Sequence, residues 1–233
     1  MVAAPFSVSK TVLFDLDGTL IDHFTTIYRC YRHAQETLGL EPASYEKVRT
    51  TVGGSVPITM QRLVGEGLAN RAVELFKEHY RDIWEEDLHA MPGAVNILKG
   101  LHTQGKELAL FTNKGGESSR HICEHLGFTP YLNRVFGTGD TPWRKPQPEF
   151  THHVMVEMKA YSQTTVMVGD SPWDIAAASN EHIPCLVVAT GSHSLDELRK
   201  HVPPPAGAYR DLTELGREAF GLNLHADKTA PTA

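Results

Sequence analysis

Short apolar runs alternate along most of this chain with longer segments of helical periodicity. The runs predict buried strands at 11–14, 108–111, 134–137, 165–168 and 185–188. The periodic segments predict helices at 93–103, 117–126, 148–158 and 173–179, and a capping-box spacing at Ser194 predicts another. Strands without polar alternation are typical of a sheet covered on both faces, and strands that alternate with helices favour parallel order. The pattern therefore predicts an α/β fold with a three-layer, Rossmann-like parallel sheet core.

The segment between Leu20 and His89 has a different pattern. Apolar residues recur there at spacings of three and four, and no run predicts a strand. The expected helices cover 22–38, a stretch from Pro42 to the break at Gly53-Gly54, 58–64 and 69–84. We interpret this segment as an inserted α-helical cap domain. The predicted division is a core of 1–20 and 90–221, a cap of 21–89, and a disordered tail of 222–233.

Composition narrows the function without identifying it. The chain has 233 residues, a hydrophobic fraction of 41% and a formal net charge of −6. This charge provides no general attraction to nucleic acid or to an anionic membrane. Three widely spaced cysteines favour a reducing compartment over a disulfide framework, and no apolar run reaches the ~20 residues of a membrane span. We expect a cytoplasmic monomer or homodimer with no nucleic-acid or membrane partner.

A pair of acids ends the first predicted strand. Asp15 and Asp17 lie two positions apart, and Gly18 then lets the chain turn before Thr19. On a strand, this spacing directs both carboxylates to the same side. Acids held so close repel each other unless a cation or a shared proton relieves them. The segment therefore indicates a chemical site, and the alternative interpretation is a pair of solvated acids in a turn.

Polar residues also follow two later strands. Thr112 and Asn113 come after 108–111, and Asp170 and Asp174 come close after 165–168. Because ligands of open parallel sheets bind beyond the carboxyl ends of the strands, these side chains are expected to meet at one site. Asp174 has a second possible role, since an acid in the first turn of a helix stabilises that turn.

A basic loop lies between these two groups. Lys145 precedes Pro146, and a second proline two residues later stiffens the loop and limits how far the lysine moves. A long ammonium side chain is able to neutralise two anions at once. Arg144 is the rival cation, and a solvated basic loop is the simpler alternative.

These motifs together resemble the haloacid dehalogenase superfamily, whose members are mostly magnesium-dependent phosphatases. The complete Asp-x-Asp-Gly-Thr segment follows a hydrophobic strand, and the later groups occur in the family's order. The helical insertion after the first strand is similar to the phosphoglycolate phosphatase and β-phosphoglucomutase group. The resemblance covers residues 10–215, nearly the whole chain.

The resemblance implies four catalytic residues. Asp15 would be the nucleophile that forms an aspartyl phosphate, and Asp17 would protonate the leaving oxygen and later activate water. Thr112 would donate its hydroxyl to a phosphoryl oxygen. Lys145 would pair with both the phosphate and the nucleophile.

The resemblance also implies contacts to phosphate and to Mg²⁺. Gly18 and Asn113 would contact the phosphate. The Asp15 carboxylate, the Asp17 main-chain carbonyl and Asp170 would bind Mg²⁺, which prefers oxygen ligands. Asp174 would be a further metal ligand, directly or through water.

Substrate choice is expected to come from the cap. Arg49 is a candidate for binding a second acidic group, and Gly53 for main-chain contact with the substrate; a solvated arginine and a helix break are the simpler explanations. The expected function is Mg²⁺-dependent hydrolysis of a small phosphomonoester, a phosphorylated metabolite, as in phosphoglycolate phosphatases. The alternatives are a phosphosugar mutase of the β-phosphoglucomutase type and a non-catalytic phosphate-binding scaffold.

Overall fold

The computed structural model describes residues 4–224. The strands are β1 (Thr11–Phe14), β2 (Ile21–Asp22), β3 (His89–Ala90), β4 (Glu107–Gly115), β5 (Arg134–Thr138), β6 (Thr165–Gly169), β7 (Cys185–Val188) and β8 (Gly207–Tyr209). The helices are α1 (Phe24–Thr37), α2 (Tyr45–Arg49), α3 (Val56–Val64), α4 (Glu66–Ile83), α5 (Ala94–Thr103), α6 (Gly116–His125), α7 (Pro148–Glu157), α8 (Pro172–Asn180), α9 (Leu195–Arg199) and α10 (Leu212–Phe220). Within residues 4–224, no helix has both the length and the apolar character needed to cross a membrane.

Six strands form one parallel sheet in the order β5-β4-β1-β6-β7-β8. Phe14 of β1 is in register with Leu110 of β4 and with Val168 of β6. The first strand of the chain therefore lies inside the sheet, and its carboxyl end lies between those of β4 and β6. This arrangement confirms the predicted α/β core.

The two faces of the sheet pack against separate groups of helices. Val12 and Phe14 belong to a cluster that includes Ile97 of α5 and residues of the cap. Leu13, which points to the opposite face, belongs to a second cluster with Phe150 of α7. Alternate side chains of this strand thus pack against two helical layers, which is why β1 is buried at every position. The three-layer prediction is confirmed.

The predicted helical insertion is present and consists of α1 to α4. The prediction that the segment contains no strand was wrong at its edge. Ile21 and Asp22 form the two-residue strand β2, which pairs antiparallel with β3 at the other end of the insertion. A strand of two residues leaves no periodic signal in the sequence, and long-range pairing is what stabilises it.

The C-terminal part of the core contains more structure than the pattern predicted. Strand β8 adds to the edge of the sheet next to β7, and α10 follows it. Most of the tail expected to be disordered lies outside the described residues, at 225–233. Its first residues pack against the core, where Leu222 is buried and Leu224 is partly buried.

His23 lies at the junction between the ribbon of β2 and β3 and the first cap helix. It is the residue immediately before α1, its side chain is fully buried, and its ring packs edge-on against Tyr80 of α4 at 5.7 Å between centroids. Burial and the nearby charge of Lys114 lower the pKa of His23 to about 2, an effect that a backbone group of Trp84 offsets only in part. The folded protein therefore keeps this imidazole neutral at acidic pH, while the unfolded chain protonates it near pH 6.5.

We expect His23 to make the fold sensitive to acid. Below pH 6.5 the unfolded state binds a proton that the folded state does not, so stability falls by about 1.4 kcal/mol per pH unit. Above pH 6.5 this loss is absent. Urea unfolding between pH 7 and pH 4.5 measures how the free energy of unfolding changes with pH. His23→Leu should reduce this pH dependence by about 1.4 kcal/mol per pH unit. His102→Gln, at an exposed position on α5, should leave it unchanged. Equal slopes for His23→Leu and wild type would contradict the assignment.

Candidate functional site

The site lies where β1, β4 and β6 end. Asp15 follows β1 directly, and its backbone N–H donates to the Val168 carbonyl of β6 at 2.9 Å. Thr112 and Asn113 lie in the last part of β4, and Asp170 follows β6. The parallel register therefore brings to one edge of the sheet residues that are more than 50 positions apart in sequence.

Lys145 is a fully buried cation at this site. Its ammonium donates to Asp15 Oδ1 at 2.7 Å, to Asp174 Oδ1 at 2.7 Å and to the Phe111 carbonyl at 2.8 Å. An ammonium has three N–H donors, and these contacts use all of them. The expected pairing with Asp15 is therefore present, but pairing with a phosphate would require Lys145 to release one of its partners.

The Asn113 side chain positions Lys145 through its main chain. Asn113 Oδ1 accepts from the Lys145 backbone N–H at 2.7 Å, and Asn113 Nδ2 donates to the Lys145 carbonyl at 3.0 Å. The same Nδ2 donates to the carbonyl of Gly53 in the cap at 2.8 Å. Asn113 thus joins the lysine loop to the end of β4 and contacts the cap.

Asp174 has the capping role that the sequence left open. Its Oδ2 accepts from the Ser171 hydroxyl at 2.6 Å and from the backbone N–H groups of Ser171 at 3.0 Å and Asp170 at 3.2 Å. Its Oδ1 accepts from Lys145. This one side chain therefore starts α8 and aligns the buried lysine.

Asp170 occupies a narrow space between two glycines. Its Oδ2 accepts from the Ser192 backbone N–H at 3.1 Å, and Thr19 approaches its Oδ1 at 3.4 Å. A Cβ at Gly18 or at Gly191 would overlap the Asp170 carboxylate. The loop after β7, which carries Gly191 and Ser192, is therefore part of the site although sequence analysis did not identify it.

Three of these carboxylates form a cluster that suits a metal ion. One oxygen each from Asp15, Asp170 and Asp174 lies within 4.8 Å of the others. Burial, together with Asp174 and Asp17, raises the pKa of Asp15 to about 6 against the opposing effect of Lys145. Burial and the neighbouring acids Asp174 and Asp15 raise the pKa of Asp170 well above its ordinary value. Buried oxygen donors whose charge Lys145 only partly balances fit a hard divalent cation.

Asp17 lies outside this cluster and has a different partner. The ammonium of Lys114 lies 3.1 Å from Asp17 Oδ1 and 3.3 Å from Oδ2, and 5.2 Å from the ring centre of Tyr80 in the cap. Although burial would lower the pKa of Lys114, Asp17 and Tyr80 hold it above its ordinary value. Sequence analysis missed Lys114; the only available signal was its position directly after Thr112 and Asn113.

A cavity of about 380 Å³ opens between these groups and the cap. Its core side includes Asp15, Asp17, Thr112, Asn113 and Lys114. Its cap side is largely apolar and includes Ile27, Tyr31, Val52, Gly53, Val56 and Phe76. The cavity thus places the acid pair against a mainly apolar wall contributed by the cap.

Most of the predicted residues therefore meet at this cavity or directly behind it. Thr112 lines the cavity, and its hydroxyl accepts from the Lys114 backbone N–H at 3.2 Å. Gly53 lines it from the cap. Arg49 does not line it: the guanidinium donates to the Gly191 carbonyl at 2.9 Å and lies over the ring of Phe24. In this structure Arg49 joins the cap to the core.

Comparison with known proteins agrees with this geometry. The family model for haloacid dehalogenase-like hydrolases matches residues 12–188. A phosphoglycolate phosphatase from Pseudomonas fluorescens is 32% identical over 191 residues, which cover 78% of this chain and 70% of that protein. One from Vibrio parahaemolyticus is 32% identical over 181 residues, which cover 73% of this chain and 79% of that protein.

The fold also has a close match among solved structures. A crystal structure of a predicted phosphatase from Clostridium acetobutylicum has a TM-score of 0.84 and covers 93% of this chain and 100% of its own. At 21% identity, that likeness shows the fold alone. With the match of the family model and the relatives at 32% identity, this chain belongs to the haloacid dehalogenase-like hydrolases, in the group similar to phosphoglycolate phosphatases.

Proposed function

We propose that this protein is a Mg²⁺-dependent phosphatase that hydrolyses a small phosphomonoester through an aspartyl phosphate at Asp15. The observation that carries the proposal is the position of Asp15, which lines the cavity while Lys145 holds one of its oxygens at 2.7 Å. A carboxylate is a weak nucleophile, so fixed orientation and charge neutralisation matter most for its reactivity. The names of the relatives support a phosphoglycolate-like substrate.

The chain supplies groups for both halves of the reaction. The other carboxylate oxygen of Asp15 attacks phosphorus, and the bond from phosphorus to the ester oxygen breaks. Asp17 gives a proton to that oxygen, and the alcohol leaves. Asp17 then takes a proton from water, the resulting hydroxide attacks phosphorus, and inorganic phosphate departs from Asp15. Two separate acids are needed because Asp15 is covalently occupied when water must be activated.

Mg²⁺ or its bound water would be held by the carboxylates of Asp15, Asp170 and Asp174 and by the main-chain carbonyl of Asp17. When bound, the ion neutralises negative charge on the phosphoryl group and on the carboxylates. Both Asp174 oxygens already accept hydrogen bonds, so its contact with the ion is expected through water.

Asp15→Asn should lower turnover about 10⁴-fold or more, because the amide is not a nucleophile. Phosphate release from 2-phosphoglycolate and from p-nitrophenyl phosphate measures the loss. Excess metal chelator should abolish phosphate release by the wild type as well. Acid-quenched wild type should show in its intact mass a phosphoryl group that the variant lacks. Asp196→Asn, at an exposed position on α9, is the matched control. Near-wild-type turnover by Asp15→Asn would refute the proposal.

Gly191→Ala should weaken Mg²⁺ binding about 10- to 100-fold, because the new methyl group displaces the Asp170 carboxylate. Gly67→Ala is the matched control: it lies in α4, and a Cβ there meets no atom within 4 Å. Calorimetric titration of each folded variant with Mg²⁺ measures the difference. Unchanged affinity in Gly191→Ala would exclude Asp170 from the metal site.

A further inference from the structure

The wall of the cavity contains a buried cation that the reaction above does not use. The Lys114 side chain is only 9% exposed, and Asp17, its ion-pair partner, is 13% exposed. All three donors of Lys145 already have acceptors. The charged partner of Lys114 is Asp17, which must itself face the substrate during the proposed reaction. Lys77 and Arg144 also line the cavity, but Lys77 is exposed to solvent and Arg144 is half-buried.

We propose that Lys114 is a specificity-determining residue, which binds an anionic group carried by the leaving alcohol on the carbon next to the ester oxygen. This inference rests on the proposed phosphatase function and assigns a residue that recognises the substrate. The simplest anionic group at that carbon is a carboxylate.

The position of Asp17 relative to the leaving oxygen supports this assignment. A general acid must lie within about 3.2 Å of the atom that it protonates. Since Lys114 Nζ is 3.1 Å from Asp17 Oδ1, the ammonium lies within about 6 Å of the leaving oxygen. At this distance, a carboxylate on the adjacent carbon is within reach of Lys114 without any movement of the strand.

Charge supports the same assignment. A substrate carboxylate in this cavity would approach Asp15 and Asp17, and an unpaired anion beside two acids is strongly disfavoured. Lys114 offers the compensating charge. When it turns from Asp17 to the substrate, both Asp17 oxygens become free to face the ester oxygen.

The cap contributes to this contact through Tyr80. The aromatic face of Tyr80 lies below the ammonium, 5.2 Å from it, and an ammonium over an aromatic ring is attracted by it. Tyr80 also lines the cavity. Lys114 of the core and Tyr80 of the cap therefore form the proposed anion-binding position together.

The test compares two esters of similar size, 2-phosphoglycolate and 2-hydroxyethyl phosphate, which differ in the charge of the group next to the ester carbon. Wild type should prefer 2-phosphoglycolate. Lys114→Met should lower that preference, measured as the ratio of kcat/KM values, by tenfold to a hundredfold, in line with a charged hydrogen bond of about 1.5–3 kcal/mol. Most of this loss should appear in KM for 2-phosphoglycolate.

Matched variants separate recognition from structure. Lys114→Arg keeps the charge and should restore most of the preference. Lys77→Met, a change at an exposed lysine of the cavity rim, should alter the ratio by less than about threefold. Equal losses of Lys114→Met on both esters would overturn the proposal, because Lys114 would then act only on Asp17. A wild type without preference for the carboxylate would also overturn it.

A binding measurement distinguishes this failure from failure of the proposed function. The uncleavable analogues 3-phosphonopropionate and propylphosphonate are titrated calorimetrically into the Mg²⁺-loaded protein. Tighter binding of 3-phosphonopropionate by wild type, lost in Lys114→Met, supports the inference even if no turnover is found. Equal binding of both analogues by wild type overturns the inference. The phosphatase proposal would still be supported if the acid-quenched wild type carries a phosphoryl group on Asp15.

Discussion

The bond between the Lys145 ammonium and the Asp15 carboxylate is the interaction on which the rest of this site depends. Lys145 is 1% exposed, and burying such a charge is unfavourable unless it is paired and fully hydrogen-bonded. Asp15, Asp174 and the Phe111 carbonyl meet this requirement together. Asp15 directly follows β1, Phe111 lies in β4 and Asp174 lies in α8, so the lysine is satisfied only when the sheet is assembled. The energetics of burial therefore fix the Asp15 carboxylate, the proposed nucleophile, in place before any substrate binds.

The sequence predicted those parts of the molecule that local patterns determine. Apolar runs indicated the sheet strands up to β7, and helical periodicity indicated the cap. Asp15 and Asp170 were expected at one site because each follows a strand end, and Lys145 because it precedes a proline; the structure brings all three together. What remained unpredicted depends on distant pairing, as in the two-residue strands β2 and β3 and in the edge strand β8. No local periodicity encodes such pairs.

Side-chain direction was the second limit of sequence analysis. Arg49 was expected at the substrate because a cap arginine is a plausible anion ligand, yet it donates to Gly191 instead. Lys114 was not identified from the sequence, yet it contacts Asp17 and lines the cavity. In both cases a long flexible side chain has several partners within reach. The packing of cap against core selects one of them, and that packing is not visible in the local sequence.

Lys145 and Lys114 differ in the number of acceptors around each ammonium group. Lys145 has as many acceptors as donors, so moving it would leave charged groups unpaired, and it serves as a fixed part of the framework. Lys114 is held by one carboxylate and by the face of an aromatic ring, contacts that an incoming anion is able to replace. Under the proposed function, Lys145 would support the chemistry common to all phosphomonoesters. Lys114, which lies where the core meets the cap, would discriminate among them.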